Sequence, residues 1–224
     1  MKVRGSMRRF LRLLGNLGIM ILSFVGYALI QTLYVVPDKM KITPWHGLLI
    51  ALLTVFAIWA MFALYKYQLS KENDWFFNAK PHWNWRRIVI ALGAFFLIMV
   101  AQVCFIKLWG TNVTSTNQAE LEAIQSKANP VFNLLIVIVA PICEEIIFRG
   151  MFFNTFFPDE NKTAKIAGII LSGFVFAFCH DPSLSKFIFL YWVMGSILAW
   201  TYVTTKDLRY SILAHVLNNL MGVL

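Results

Sequence analysis

The chain has 224 residues, 59% of them hydrophobic and only 14% charged, with a formal net charge of +9. A soluble domain carries far more polar surface than this, so composition excludes a soluble globular enzyme. The positive charge falls in short segments between apolar runs, where it orients a chain in a bilayer, and no nucleic-acid partner is implied. Cys104, Cys143 and Cys179 all sit in apolar runs, an odd count in the wrong places for a disulfide framework.

A helix needs about 20 apolar residues to cross a bilayer. The first candidate is Leu13–Val36. Met1–Arg12 has the charge of a signal-peptide n-region, but the apolar run continues too far for a signal peptide, so it is read as a span. Trp45–Tyr65, Ile88–Trp109 and Val131–Phe157 follow, then the shorter Ile166–Cys179, Phe187–Thr204 and Tyr210–Leu224. Pro37, Pro44, Pro81, Pro130, Pro158 and Pro182 lie in or beside the intervening loops, where helices stop. The expected fold is an all-α, polytopic transmembrane bundle of about seven helices. It forms a single integral membrane domain over residues 1–224 and encloses a polar intramembrane cavity.

Loop charges give the orientation. Lys2, Arg4, Arg8, Arg9, Arg12, Lys66, Lys71, Lys80, Arg86, Arg87, Lys162, Lys165, Lys206 and Arg209 fall on one side, fourteen in all. Lys39, Lys41, Lys107, Lys127 and Lys186 fall on the other. The positive-inside rule places the first set, and with it the N-terminus, in the cytoplasm of a cell with a plasma-membrane-type bilayer.

Against this apolar background a few polar residues stand out. Glu144 and Glu145 are adjacent in the middle of Val131–Phe157, where an ionised carboxylate costs roughly 2.5–3.5 kcal/mol on the gentlest scale. Glu145 and Arg149 are four apart, so they share a helix face and can pair. Glu144 points about 100° away and is left free for chemistry. Phe176 and His180 are also four apart, as are His215 and Asn219. Glu144, His180, His215 and Asn219 come from three helices and can meet only around a common cavity. His46 and His82 fall at loop or interface positions and are read as amphipathic surface residues.

These residues carry a family resemblance. Glu144-Glu145-Ile146-Ile147-Phe148-Arg149 resembles the EExxxR motif of the CAAX protease and bacteriocin-processing family, the Abi family of intramembrane glutamic endopeptidases. Phe176-Ala177-Phe178-Cys179-His180 resembles its FxxxH motif, and His215-Val216-Leu217-Asn218-Asn219 its HxxxN motif. The three occur in order over residues 131–224, the protease-motif core. The resemblance implies a helical core around a hydrophilic chamber open towards the cytoplasm. It also implies that Glu144 and His180 activate water, that His215 and Asn219 stabilise the oxyanion, and that Glu145, Arg149 and Phe176 shape the site.

Peptide hydrolysis needs a base, a nucleophile and donors for the developing oxyanion, and these residue types can supply all three. The expected partner is a peptide or protein substrate, membrane-anchored and prenylated forms included, beside the lipid bilayer itself. No cofactor is expected. One rival chemistry is zinc held by Glu144, His180 and His215 with an open fourth position, although HExxH is absent. Another is a nucleophilic Cys143 or Cys179. Two further alternatives keep the fold without proteolysis: an idle scaffold or bacteriocin-immunity protein binding a membrane partner, and an ion carrier. A carrier needs polar residues along a transmembrane path, and the first three helices offer few, such as Asn16, Gln31 and Gln102.

Overall fold

The structure is a computed structural model that describes residues 2–37, 39–110, 114–128 and 130–223, with side chains from Met7 onward. The described residues form eight helices: α1 Lys2–Tyr34, α2 Pro44–Lys71, α3 Trp85–Trp109, α4 Thr116–Gln125, α5 Val131–Phe156, α6 Lys162–His180, α7 Phe187–Thr205 and α8 Leu208–Val223. Six of them, all but α4 and α8, are long and apolar enough to cross a membrane. The protein is therefore a multi-pass integral membrane protein. The expected seventh run appears as α8, whose 16 residues are fewer than a full span requires; Leu224 lies outside the described residues. The surface agrees with a lipid environment, since Leu49, Leu52, Val55, Phe56 and Trp59 of α2 all face outwards.

Polar side chains set where the helices begin. Thr43, Asn84, Ser115 and Asn161 each accept a hydrogen bond from a first-turn backbone N–H of α2, α3, α4 and α6. Pro44 follows the first of these caps at a position that needs no N–H. The cap at Asn161 starts α6 four residues before the apolar run Ile166–Cys179, which is why the helix is longer than its hydrophobic stretch.

Helix α5 is the hub, packed against α1, α2, α6 and α8. It is α-helical with two π-helical segments, Leu135–Val139 and Ile146–Met151, on either side of the two glutamates. Pro141 accounts for the first. In that segment the N–H of Ala140 reaches back five residues to the Leu135 carbonyl. The next donor in the pattern would be residue 141 onto Ile136, and proline has none.

Helices α6 and α7 form a close antiparallel pair, and α3 and α8 pack on α7. A Cβ on Gly173 of α6 would stand 2.7 Å from the Ser196 backbone nitrogen, and one on Gly195 would stand 2.9 Å from the Gly173 Cα. Only paired glycines allow the two backbones to approach so closely.

One end of the bundle gathers the basic segments and is closed. Phe77 stacks on Tyr202 at 4.3 Å and on Trp75 at 5.3 Å, with Phe153 edge-on to all three. Tyr65 hydroxyl lies 2.8 Å from that of Tyr202 and donates to Asn78. Helix α4, which hydrophobic runs do not reveal because it is polar, lies at the opposite end. Ser115 ties its start to the Tyr191 hydroxyl at 2.8 Å, and Gln125 donates to Asn133 at 2.8 Å.

Candidate active site

The three motif helices bring their polar residues together. Glu144 Oε2 lies 3.9 Å from His180 Nε2 and 3.7 Å from His215 Nε2. Both separations are longer than a direct hydrogen bond and of a length that one water can bridge. The other ring nitrogens fix the tautomers. His180 Nδ1 is 2.8 Å from the Phe176 carbonyl, and a carbonyl only accepts, so Nδ1 carries the proton. His215 Nδ1 is 3.0 Å from Glu145 Oε1, which likewise accepts. In their neutral forms both imidazoles therefore turn an unprotonated Nε2 towards Glu144.

Behind this group lies a buried ion pair. Glu145 and Arg149 are both fully buried, with Arg149 Nη1 3.0 Å from Glu145 Oε1. Arg149 Nη2 donates to the Gly195 carbonyl at 3.1 Å, and its guanidinium lies 4.6 Å from the centre of the Phe176 ring. Phe176 in turn packs on His180 at 4.2 Å and edge-on to His215 at 5.7 Å. The i, i+4 pairing of Glu145 with Arg149 and the stacking of Phe176 with His180 are as the spacing predicts.

Asn219 takes a place that the proline leaves vacant. Its Nδ2 donates to the Ile136 carbonyl at 3.0 Å, the acceptor that Pro141 cannot serve. That uses one of the two amide hydrogens of Asn219. Its Oδ1 accepts from Asn218, which itself accepts from Gln102 of α3 at 3.0 Å.

Glu144 is not without a partner, as spacing within its own helix suggests. The Tyr27 hydroxyl of α1 donates to Glu144 Oε1 at 2.8 Å, and both residues are buried. No motif marks Tyr27, because a tyrosine in an apolar helix reads as core.

The site opens into a cavity of about 500 Å³, lined by Glu144, Phe176, His180, His215 and Asn219 together with Gln31, Gln102 and one face of α4. Neither Cys143 nor Cys179 lines it. Among the described residues no group of three His, Cys, Asp or Glu is arranged to hold a metal ion. Its exposed lining residues, Ile106, Thr114, Glu122, Met221 and Gly222, place the mouth beside α4 and the last turns of α3 and α8, away from the basic segments at the start of α3 and α8. An opening towards the cytoplasm and a cytoplasmic location of the basic segments therefore point to opposite faces.

Comparison with known proteins bears on this geometry. Residues 126–221 match the family described as Type II CAAX prenyl endopeptidase Rce1-like. That match spans all three motifs. Among curated relatives, the "Membrane-embedded CAAX protease MroQ" of Staphylococcus aureus is 33% identical over 136 residues, covering 58% of this chain and 54% of that protein. The "Putative membrane peptidase YdiL" of Bacillus subtilis is 35% identical over 111 residues, 50% of this chain and 43% of that protein. The "UPF0177 protein YvdC" of Lactococcus lactis is 21% identical over 173 residues, 75% of this chain and 63% of that protein. The chain thus spans about half the length of the first two. No solved structure matches it.

Proposed function

We propose that this protein is an intramembrane endopeptidase that hydrolyses a peptide bond with water activated by Glu144. The observation that carries the reading is the approach of both Nε2 atoms, of His180 and His215, to one oxygen of Glu144 at the inner end of the cavity. In this mechanism the Glu144 carboxylate takes a proton from a water held jointly with His180 Nε2. The hydroxide attacks the scissile carbonyl. His215, when protonated on both ring nitrogens, and the second amide hydrogen of Asn219 donate to the oxyanion. Losing one such donor typically costs about 10²–10³ in rate. Glu144 or His180 then returns a proton to the leaving amine.

The substrate in this reading is a peptide or protein segment that reaches the chamber. In this reading the chain sits in the plasma membrane with its N-terminus in the cytoplasm, an orientation that the fourteen basic residues of one end support. This mechanism uses no metal.

The test is cleavage of a quenched fluorescent peptide library by the purified protein in detergent, wild type and Glu144→Gln, with and without a zinc chelator. Cleavage that Glu144→Gln abolishes and the chelator spares is the expected result. Loss with chelator and recovery with zinc would replace the water mechanism by a metalloprotease. Equal activity in Glu144→Gln would remove Glu144 from the chemistry.

A further inference from the structure

We infer that the chamber is fed from the non-cytoplasmic face, so that its substrate is a peptide segment that has already crossed the membrane. The word substrate rests on the proteolytic reading above; the placement of the mouth does not. Three observations carry it.

The first is chain direction. The starts of α3, α6 and α8 and the ends of α2, α5 and α7 share the basic end, while the ends of α3, α6 and α8 and the start of α7 surround the cavity. The backbone N–H of Asn84, just before α3, donates to Tyr210 near the start of α8 at 2.8 Å, which pins those two starts side by side. The mouth and the basic segments are therefore separated by the thickness of the bundle.

The second is charge. Every connection between spans is far shorter than the length at which the positive-inside bias fades, about 60 residues. Fourteen basic residues against five then hold the basic end in the cytoplasm. The mouth is left on the other side, bordered by Ser115, Asn117, Gln118 and Glu122 with no lysine or arginine among the described lining residues.

The third is closure of the cytoplasmic route. Between Glu144 and the basic end lie the fully buried Glu145, Arg149, Met151, Phe153, Tyr65 and Tyr202. A cytoplasmic peptide would have to unpack that layer and break the Glu145–Arg149 pair to reach Glu144. From the α4 side it meets the cavity directly.

The experiment is cysteine accessibility in intact expressing cells. Ala119→Cys on α4 and Thr163→Cys at the start of α6 are both at exposed positions outside the site. Each is treated with a membrane-impermeant maleimide before and after permeabilisation, with the unmodified protein and its three native cysteines as the blank. The expected result is full labelling of Ala119→Cys in intact cells and labelling of Thr163→Cys only after permeabilisation. The reverse pattern, or equal labelling of both, overturns the placement. A second arm adds the quenched peptides to sealed membrane vesicles. Cleavage by right-side-out vesicles is expected, and cleavage by inverted vesicles alone overturns the proposal. An outward mouth by labelling with no cleavage in either preparation would sink the proteolytic reading while the placement stands.

Discussion

His215 Nδ1 stands 3.0 Å from Glu145 Oε1, the same oxygen that meets Arg149 at 3.0 Å. One carboxylate oxygen thus joins the motif of α5 to that of α8, and through Arg149 to the Gly195 carbonyl of α7. Glu145 orients the imidazole whose other nitrogen faces Glu144. The two adjacent glutamates have different work, and substitution should separate them.

Glu144→Gln keeps the side-chain shape and an oxygen for Tyr27, but it removes the carboxylate. Peptidase activity should fall by about 10²–10⁴, the usual contribution of a general base, with the detergent-solubilised protein melting near the wild-type temperature. Glu145→Gln leaves Arg149 buried without an opposite charge, which typically costs about 3–5 kcal/mol. It should be recovered in low yield and melt well below wild type. Equal melting temperatures for the two variants would contradict this division.

Tyr27→Phe isolates the contribution of α1. The hydroxyl bond to Glu144 Oε1 is a hydrogen bond to a charged group, a class that contributes about 1.5–3 kcal/mol. If the bond holds Glu144 towards the two imidazoles, kcat/KM should fall by about tenfold or more, mainly through kcat. KM should change little, since the hydroxyl is directed at the carboxylate. A kcat within twofold of wild type would make Tyr27 a packing residue only.

Much of this was legible in the sequence, and the exceptions have physical causes. Apolar runs locate α1, α2, α3, α5, α6 and α7, because a membrane span is a composition signal. Glu145 with Arg149 and Phe176 with His180 are recoverable from a four-residue spacing. Helix α4 escapes because it is polar and short. Tyr27 and Gln102 escape because their partners, Glu144 and Asn218, are more than a hundred positions away. The role of Asn219 on the Ile136 carbonyl follows from Pro141, but only once α8 is known to pack there. The side on which the chamber opens needs both kinds of information, charge from the sequence and chain direction from the fold.

The glycine contact between α6 and α7 gives a prediction about stability. A methyl group at Gly173 meets the Ser196 hydroxyl first and then the Ser196 backbone at 2.7 and 3.0 Å, and turning the hydroxyl away leaves the backbone clash in place. Overpacking of this kind costs about 1–3 kcal/mol, more than the roughly 1 kcal/mol that alanine gains over glycine in a helix. Gly173→Ala should lower the melting temperature, and activity should fall with it, because α6 carries His180. Gly93→Ala is the control. Nothing lies within 4 Å of a Cβ at that position, so it should be neutral or slightly stabilising. A Gly173→Ala protein as stable as Gly93→Ala would mean that the two helices can move apart at no cost.

Asp181, in the turn after His180, predicts a pH dependence. Burial pushes its carboxyl up, but the Ser183 and Ser185 hydroxyls, at 2.6 and 2.7 Å, together with backbone N–H groups, outweigh burial and hold it below its ordinary value. The native carboxylate binds its proton more weakly than the unfolded one. The stabilisation is therefore fully present above the ordinary carboxylate range, near about 3.9, and is lost as pH falls through the native value. Wild-type protein should lose melting temperature on acidification through that window, and Asp181→Asn, which has no proton to bind, should lose less. Thermal unfolding in detergent over a pH series measures both curves. Parallel curves would show that the turn holds its shape without the charge. Converging curves at low pH would assign the difference to Asp181, one residue from the imidazole that faces Glu144.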